Sequence, residues 1–291
     1  MKKTNQLLFA LRNEQWVHIS EVPSGSTCAC ECPACSAPLV AKKGRRNRHH
    51  FAHLQGFSCS AALETSLHLL GKAIVVKNKC IRTPALQAYN AKQLRGSRQE
   101  EFTAAIEEAR LGNVQIDVLL RDGRQEVGVE IKVTHSSGPQ KIRRLAQLNL
   151  PTVEIDMLRI YEQHLLHYPA GDLNKLAHSV TYGSQNRVWL FHPWQHRYEY
   201  RLAQTAIVRK VHASKQGDYY HYHVYRCPRN FRFVRRGFRE GYSYARVFQD
   251  CLHCKHCRKI NYQEQFVGYQ QINTLPLEVL CNQEGEMGGS L

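Results

Sequence analysis

Residues 113–134 read NVQIDVLLRDGRQEVGVEIKVT, and the fold turns on how this stretch pairs with itself. Two runs rich in Val, Ile and Leu flank Asp122-Gly123, a dipeptide suited to the tight turn of a β-hairpin. With Asp122 and Gly123 as the two loop residues, Arg121 pairs with Arg124 and Asp117 falls opposite Gly128. Side chains alternate along a strand, so Gly128, Glu130 and Lys132 share a face with Asp117. Asp117 and Glu130 become diagonal neighbours, roughly 7–8 Å apart, and Gly128 leaves room in front of Asp117. Val114, Ile116, Val118, Leu120, Val127, Val129, Ile131 and Val133 make up the opposite, apolar face.

Two carboxylates at that separation can share one hard divalent cation. Magnesium prefers oxygen donors and keeps several waters. Asp117, Glu130 and the Ile131 carbonyl are candidate donors, and Lys132 is placed to orient an attacking water or to neutralise charge on a phosphate. A solvated charged face is the bland alternative for such a hairpin.

The flanks extend this unit. Between Ala61 and Lys79 the apolar residues Leu63, Leu67, Leu70 and Ile74 recur at helical spacing. Glu64, His68 and Lys72, four apart, share one face of that helix. The stretch 101–109 fits a helix by propensity and a strand by its alternation of Phe102, Ala104 and Ile106. Pro139 suits the first turn of a helix running to Leu150, which carries Lys141, Arg143 and Arg144 as candidate phosphate contacts. Pro151 stops that helix, and TVEIDM follows as a strand.

Forty Lys and Arg against 24 Asp and Glu give a net charge of +16, which suits a polyanionic partner. Between Arg187 and Lys259 there are 16 Lys/Arg and 4 Asp/Glu, interleaved with Tyr and Phe that can stack on unpaired bases. No apolar run reaches the length of a membrane span. The run Leu7–Leu11 is too short for a secretory leader and reads as a first strand. A cytoplasmic chain that meets DNA and no membrane is expected, with a homodimer or a recombination or defence protein as further partner.

The eleven cysteines cluster. Cys32 and Cys35 form a knuckle-like half-site, which His49, His50 or His53 and then Cys59 would complete. Cys227, Cys251, Cys254 and Cys257 offer four more thiolates, with His253 and His256 as alternative ligands. Clusters of this kind suit structural zinc, and two sites are expected. Four thiolates in the second cluster also suit an iron–sulfur centre.

Asp117, twelve intervening residues and then Glu130-Ile-Lys132 resemble the PD-(D/E)xK nuclease superfamily. That resemblance implies a strand over 101–109, a supporting carboxylate at Glu64 on the first core helix, and a magnesium- or manganese-dependent reaction. For His68 it implies an acid/base role or a phosphate contact. The N-terminal CPACSAPLVAKKGRRNRHHFAHL, then Cys59, then ETSLHLLGK, resembles the CoiA-like competence nuclease family. This implies a place in bacterial DNA uptake, recombination or defence against foreign DNA.

The expected architecture is α/β, with a restriction-endonuclease-like core between two zinc modules. The expected parts are a zinc module at 1–60, a nuclease core at 61–160, a connector at 161–186, a basic zinc-ribbon-like module at 187–275 and a disordered tail at 276–291. The expected activity is hydrolysis of DNA phosphodiesters. Asp117, Glu130, Lys132, Glu64 and His68 carry the chemistry, and Lys72, Lys141, Arg143 and Arg144 hold substrate. The rival readings are a non-catalytic DNA-binding or recombination mediator on a nuclease-like fold, and a zinc-containing RNA-processing protein.

Overall fold

The structure is a computed structural model that describes residues 7–44, 49–54, 59–88, 93–168, 171–254, 256–267 and 270–281. It is a mixed α/β protein that divides into two compact units. The first holds residues 1–84 and 97–192, and the second holds 85–96 and 193–291. The predicted disordered tail lies outside the described residues from 282 onward, while 276–281 belong to a strand.

The first unit opens with β1 (Phe9–Arg12), β2 (Gln15–His18), β3 (Gly25–Glu31), β4 (Pro38–Lys42) and β5 (His50–His53). These form one antiparallel sheet in the order β2-β1-β3-β4-β5. The helix α1 (Ala62–Asn78) follows, with Leu67, Leu70 and Ile74 buried on the expected stripe. It ends at Lys79, whose left-handed backbone (φ 51°) caps it. Gly71 on α1 meets the sheet so closely that an added Cβ would lie 2.8 Å from Ile131 Cγ2. Next come β6 (Cys80–Thr83) and its partner β9 (Arg98–Glu101), separated in the chain by the short β7 (Leu86–Gln87) and β8 (Gln93–Arg95), which belong to the second unit.

The central sheet has the order β10 (Ala104–Leu111), β11 (Val114–Arg121), β12 (Glu126–Lys132), β13 (Thr152–Asp156), β14 (Arg187–Phe191). Only β12 and β13 run parallel; the other neighbours are antiparallel. Between those two, α2 (Pro139–Gln147) makes the crossover, with Pro139 in its first turn. The doubtful stretch is therefore mostly strand. The segment expected as a connector holds two helices, α3 (Met157–His167) and α4 (Leu173–Tyr182), the second where the sequence suggests a short helix around Asp172–His178. Their Ile160, Tyr161, Leu165, Leu176 and Val180 join the main core, as does the apolar side of the N-terminal sheet. Arg187, on strand β14, is buried and ties the end of this segment down. Its guanidinium donates to the carbonyls of Arg82, Ser179 and Val180.

The central hairpin differs from its sequence reading in two respects. Arg121 pairs with Glu126, so the loop has four residues rather than two. Asp122 closes it by accepting the backbone N–H groups of Arg124 and Gln125, both at 2.9 Å. The register moves by two, Gly128 faces Leu119, and the next step along places Asp117 beside Glu130. The sheet is also apolar on both faces. Val118, Leu120, Val129 and Ile131 pack with α1, whereas Val114, Ile116 and Leu119 pack with Leu145 of α2. Alternation breaks at Asp117, because Ile116 and Leu119 lie on one side with Val118 on the other. Opposite the break, Glu108 takes a left-handed backbone (φ 51°). Gly128 does not open space before Asp117; a Cβ there would meet Thr152 Oγ1 at 2.8 Å.

The second unit contains α5 (Pro193–Thr205), β15 (Ile207–Lys210), β16 (His212–Gln216), β17 (Tyr219–Tyr225), β18 (Arg232–Phe233), β19 (Ser243–Arg246), β20 (Cys257–Val267) and β21 (Gln270–Cys281). It is built on a four-stranded sheet, β16-β17-β19-β18, and a three-stranded one, β15-β21-β20. No helix among the described residues is long and apolar enough to cross a membrane.

Candidate active site and candidate zinc site

Asp117 sits where the β11–β12 ladder stops. The amide of Ile131 donates to its Oδ2 at 2.8 Å, and His68 Nε2 of α1 approaches the same oxygen at 3.1 Å. Burial alone would raise this carboxyl's pKa, but the hydrogen bonds from His68 and Ile131 bring it below the usual range. The same contact with Asp117 pushes His68 above its usual value.

Glu130 has the opposite fate. It is 5% exposed, and burial followed by the charge of Asp117 pushes its pKa up to about 7. Its Oε2 accepts from Lys141 of α2 and lies 3.5 Å from Ser137 Oγ. Its Oε1 is buried without a hydrogen-bond partner. A buried carboxylate oxygen left so is costly.

These groups line one cavity of about 450 Å³ with Glu64, Lys132, Thr134, Ser137 and Glu154. Glu64 is bonded to Thr134, and Glu154 accepts from the Ser137 amide at 2.8 Å. Lys132 reaches the wall but donates to Asp156 Oδ2 at 2.8 Å. Asp156 also caps α3 through the Arg159 amide. The structure thus gathers Asp117, Glu130, Lys132, Glu64, His68 and Lys141. Lys72 is elsewhere, 4% exposed and paired with Glu107 and Glu108. Arg143 and Arg144 are not among the lining residues, and Arg144 donates to the Asn113 carbonyl.

Glu154, Asp156 and Ser137 were missed from sequence, although a signal exists. VEIK at 129–132 is echoed by VEID at 153–156, and the parallel register sets Glu130 against Glu154 and Lys132 against Asp156.

A second constellation lies near the N-terminus. The ligand atoms of Cys32, Cys35, His53 and Cys59 all lie within 4.8 Å of one another, and Cys35 Sγ is 3.4 Å from His53 Nε2. Cys32 and Cys35 come from a turn closed by the Ser36 amide on the Cys32 carbonyl, with Ser36 in the left-handed region. His53 ends β5, and Cys59 precedes α1. His50 is not in the group: three residues before His53 on a strand, it falls on the other face. Cys28 and Cys30 are buried, and their thiols donate to the carbonyls of Leu39 and Cys28. One ion with four Cys/His ligands fits this set.

The second cluster is packed without being drawn to ligand distance. Cys227, Cys251, Cys254 and Cys257 share the core of the second unit with a fifth thiol, Cys281, which pairs with Cys257 across β20 and β21. Burial and neighbouring thiols push Cys257 up to about 12 and Cys281 up to about 11. Among the described residues only the N-terminal four meet the spacing of a metal site. The four thiols that the sequence reading assigned to a second metal, Cys227, Cys251, Cys254 and Cys257, do come together in one core, with Cys281 beside them.

Residues 21–62 match the family model of the N-terminal domain of competence protein CoiA. All four residues of the candidate zinc site fall inside that CoiA-like segment, whereas Asp117, Glu130 and Lys132 lie beyond it. The match supports the resemblance to CoiA-like proteins over this segment. No curated protein and no solved structure matches the chain.

Proposed function

We propose that the chain is a metal-dependent deoxyribonuclease with a role in competence, its first unit built on a PD-(D/E)xK core. The observation that carries the reading is the partnerless Oε1 of Glu130, buried beside Asp117 in a cavity open to ligand. Carboxylates in that arrangement suit magnesium or manganese better than a soft metal. Asp117 and Glu130 would hold the ion, and Glu64 would support it from α1. The bound ion would acidify a water for attack on phosphorus.

The chain's own residues account for the remainder. The Ile131 amide and His68 fix Asp117 in place. Lys141 holds Glu130 and is positioned to meet a phosphate. Lys132 borders the same cavity, and its ammonium would stabilise charge growing on the phosphate once shared between Asp156 and substrate. In the net reaction water adds to phosphorus, the bond to one ester oxygen breaks, and that oxygen leaves with a proton.

The test compares the wild type with Asp117→Ala and Lys132→Ala on linear and circular DNA with magnesium or manganese. Wild-type cleavage lost in both variants supports the reading, and equal cleavage by all three overturns it. Binding without cleavage under every metal would favour a non-catalytic DNA-binding protein.

A further inference from the structure

The four-stranded sheet of the second unit has one face in the core and one face in a groove. On β17 the alternation sends Val224 inward and His221, His223 and Tyr225 outward. On β19 it sends Ala245 inward and Tyr244 and Arg246 outward. The outward side chains floor a cavity of about 890 Å³, and the stretch Phe231–Arg236 walls it. Its lining holds four arginines and no carboxylate.

The rings are arranged for stacking rather than for core packing. Phe231 is 47% exposed and Phe233 54% exposed. Tyr225 already has its partners, with the Arg239 guanidinium 4.3 Å from its ring centroid and His223 meeting it edge-on at 4.8 Å. Arg232 is held by Asp250 through two nitrogens, which fixes the wall beside these rings. Burial, with His212 and the neighbouring arginines Arg239 and Arg246, holds the His223 pKa below its usual value.

We infer that this groove binds a single-stranded polynucleotide, with bases stacked on Phe231 and Phe233 and phosphates on Arg235 and Arg236. Arginines serve either strand form, because both present phosphates. Exposed rings do not: a duplex keeps its base faces covered, whereas an unpaired base offers one to any aromatic. Ring stacking and phosphate contacts are common to DNA and RNA strands, so both should bind. The inference rests on the nucleic-acid reading above for its ligand and not on the catalytic one.

The experiment is fluorescence anisotropy with the full-length protein, without added divalent cation. The probes are labelled oligo-dT, oligo-U and a mixed-sequence duplex of equal length, over a salt series. Both single strands should bind tighter than the duplex. Phe231→Ala and Phe233→Ala should each weaken them roughly tenfold or more, while Phe233→Tyr retains binding. Arg235→Ala with Arg236→Ala should flatten the salt slope by roughly 1.4. Duplex bound as tightly as the strands, or ring variants that bind like wild type, would overturn the inference. Asp117→Ala distinguishes the two ideas: it should abolish cutting and leave this binding untouched.

Discussion

Replacing Glu130 by Gln should stabilise the magnesium-free protein at pH 8 and leave it nearly unchanged at pH 4. Burial and the charge of Asp117 raise this carboxyl from 4.5 to about 7. The folded state therefore holds a proton that the unfolded state has lost throughout that window. Stability falls as pH rises from 4.5 to 7, and the whole penalty is present above 7. At 1.36 kcal/mol per pH unit the penalty is about 3 kcal/mol, an upper limit because Gln keeps a weaker contact with Lys141. A change of this size in the first unit corresponds to a Tm rise of roughly 5–10 °C. Thermal melts of both proteins across pH 4–8, without chelator so that the candidate zinc site is left undisturbed, give the difference curve. Magnesium should then raise the wild-type Tm and leave the variant where it was. A flat difference curve, or a variant less stable at pH 8, would refute the claim that Glu130 is held against its preference.

Three more outcomes follow from the geometry. Cys35→Ser should remove one zinc per chain, measured by elemental mass spectrometry, and lower the Tm, since four Cys/His ligand atoms lie within 4.8 Å in the wild type. His164 accepts the Asp172 amide at 3.0 Å, and burial lowers its pKa below 6.5. The unfolded chain therefore takes that proton first, so stability is intact above about pH 6.5 and falls as pH drops below it. His164→Gln should remove this part of the acid slope in urea titrations. Gly71→Ala should cost about 1–3 kcal/mol, read as a lower denaturant midpoint, because its Cβ would press on Ile131 Cγ2.

What the sequence made legible were the parts governed by local rules. The stripe of α1, the Pro139 start of α2 and the pairing of 114–121 with 126–132 all follow from periodicity and turn chemistry. The register did not, because Asp122 uses its side chain to close a longer loop that looks like a two-residue turn. The error was even, two residues, and it sets Asp117 one step past the Val118–Val129 pair, where alternation breaks. The apolar-and-charged reading of the hairpin failed for another reason. A central strand covered on both faces should be uniformly apolar, and the buried Glu130 hid that pattern. His53 over His50 is settled by strand alternation once β5 is known. Cys281 needed the tertiary fold, because strand pairing alone brings it to Cys257.

The charges of the cavity explain why both abnormal carboxylates belong to one arrangement. Glu64, Asp117, Glu130 and Glu154 line it against Lys132 and Lys141, a formal excess of two negative charges with the histidines neutral. Lys132 is already committed to Asp156, so it relieves that excess least. Without a cation the site has two remedies, and it uses both. His68, its pKa raised, lies 3.1 Å from Asp117, and Glu130 keeps its proton up to about pH 7. Each remedy fails a phosphodiester, whose own charge would meet a carboxylate at a cost of about 4 kcal/mol for 4 Å at an effective dielectric of 20. A divalent ion would cancel the excess and supply the partner that Oε1 of Glu130 lacks. On this reading a chain of charge +16 gathers DNA over its surface but admits a phosphate to this cavity only when the metal is present. The acidity of the cavity then sets the order of binding, metal first and substrate second.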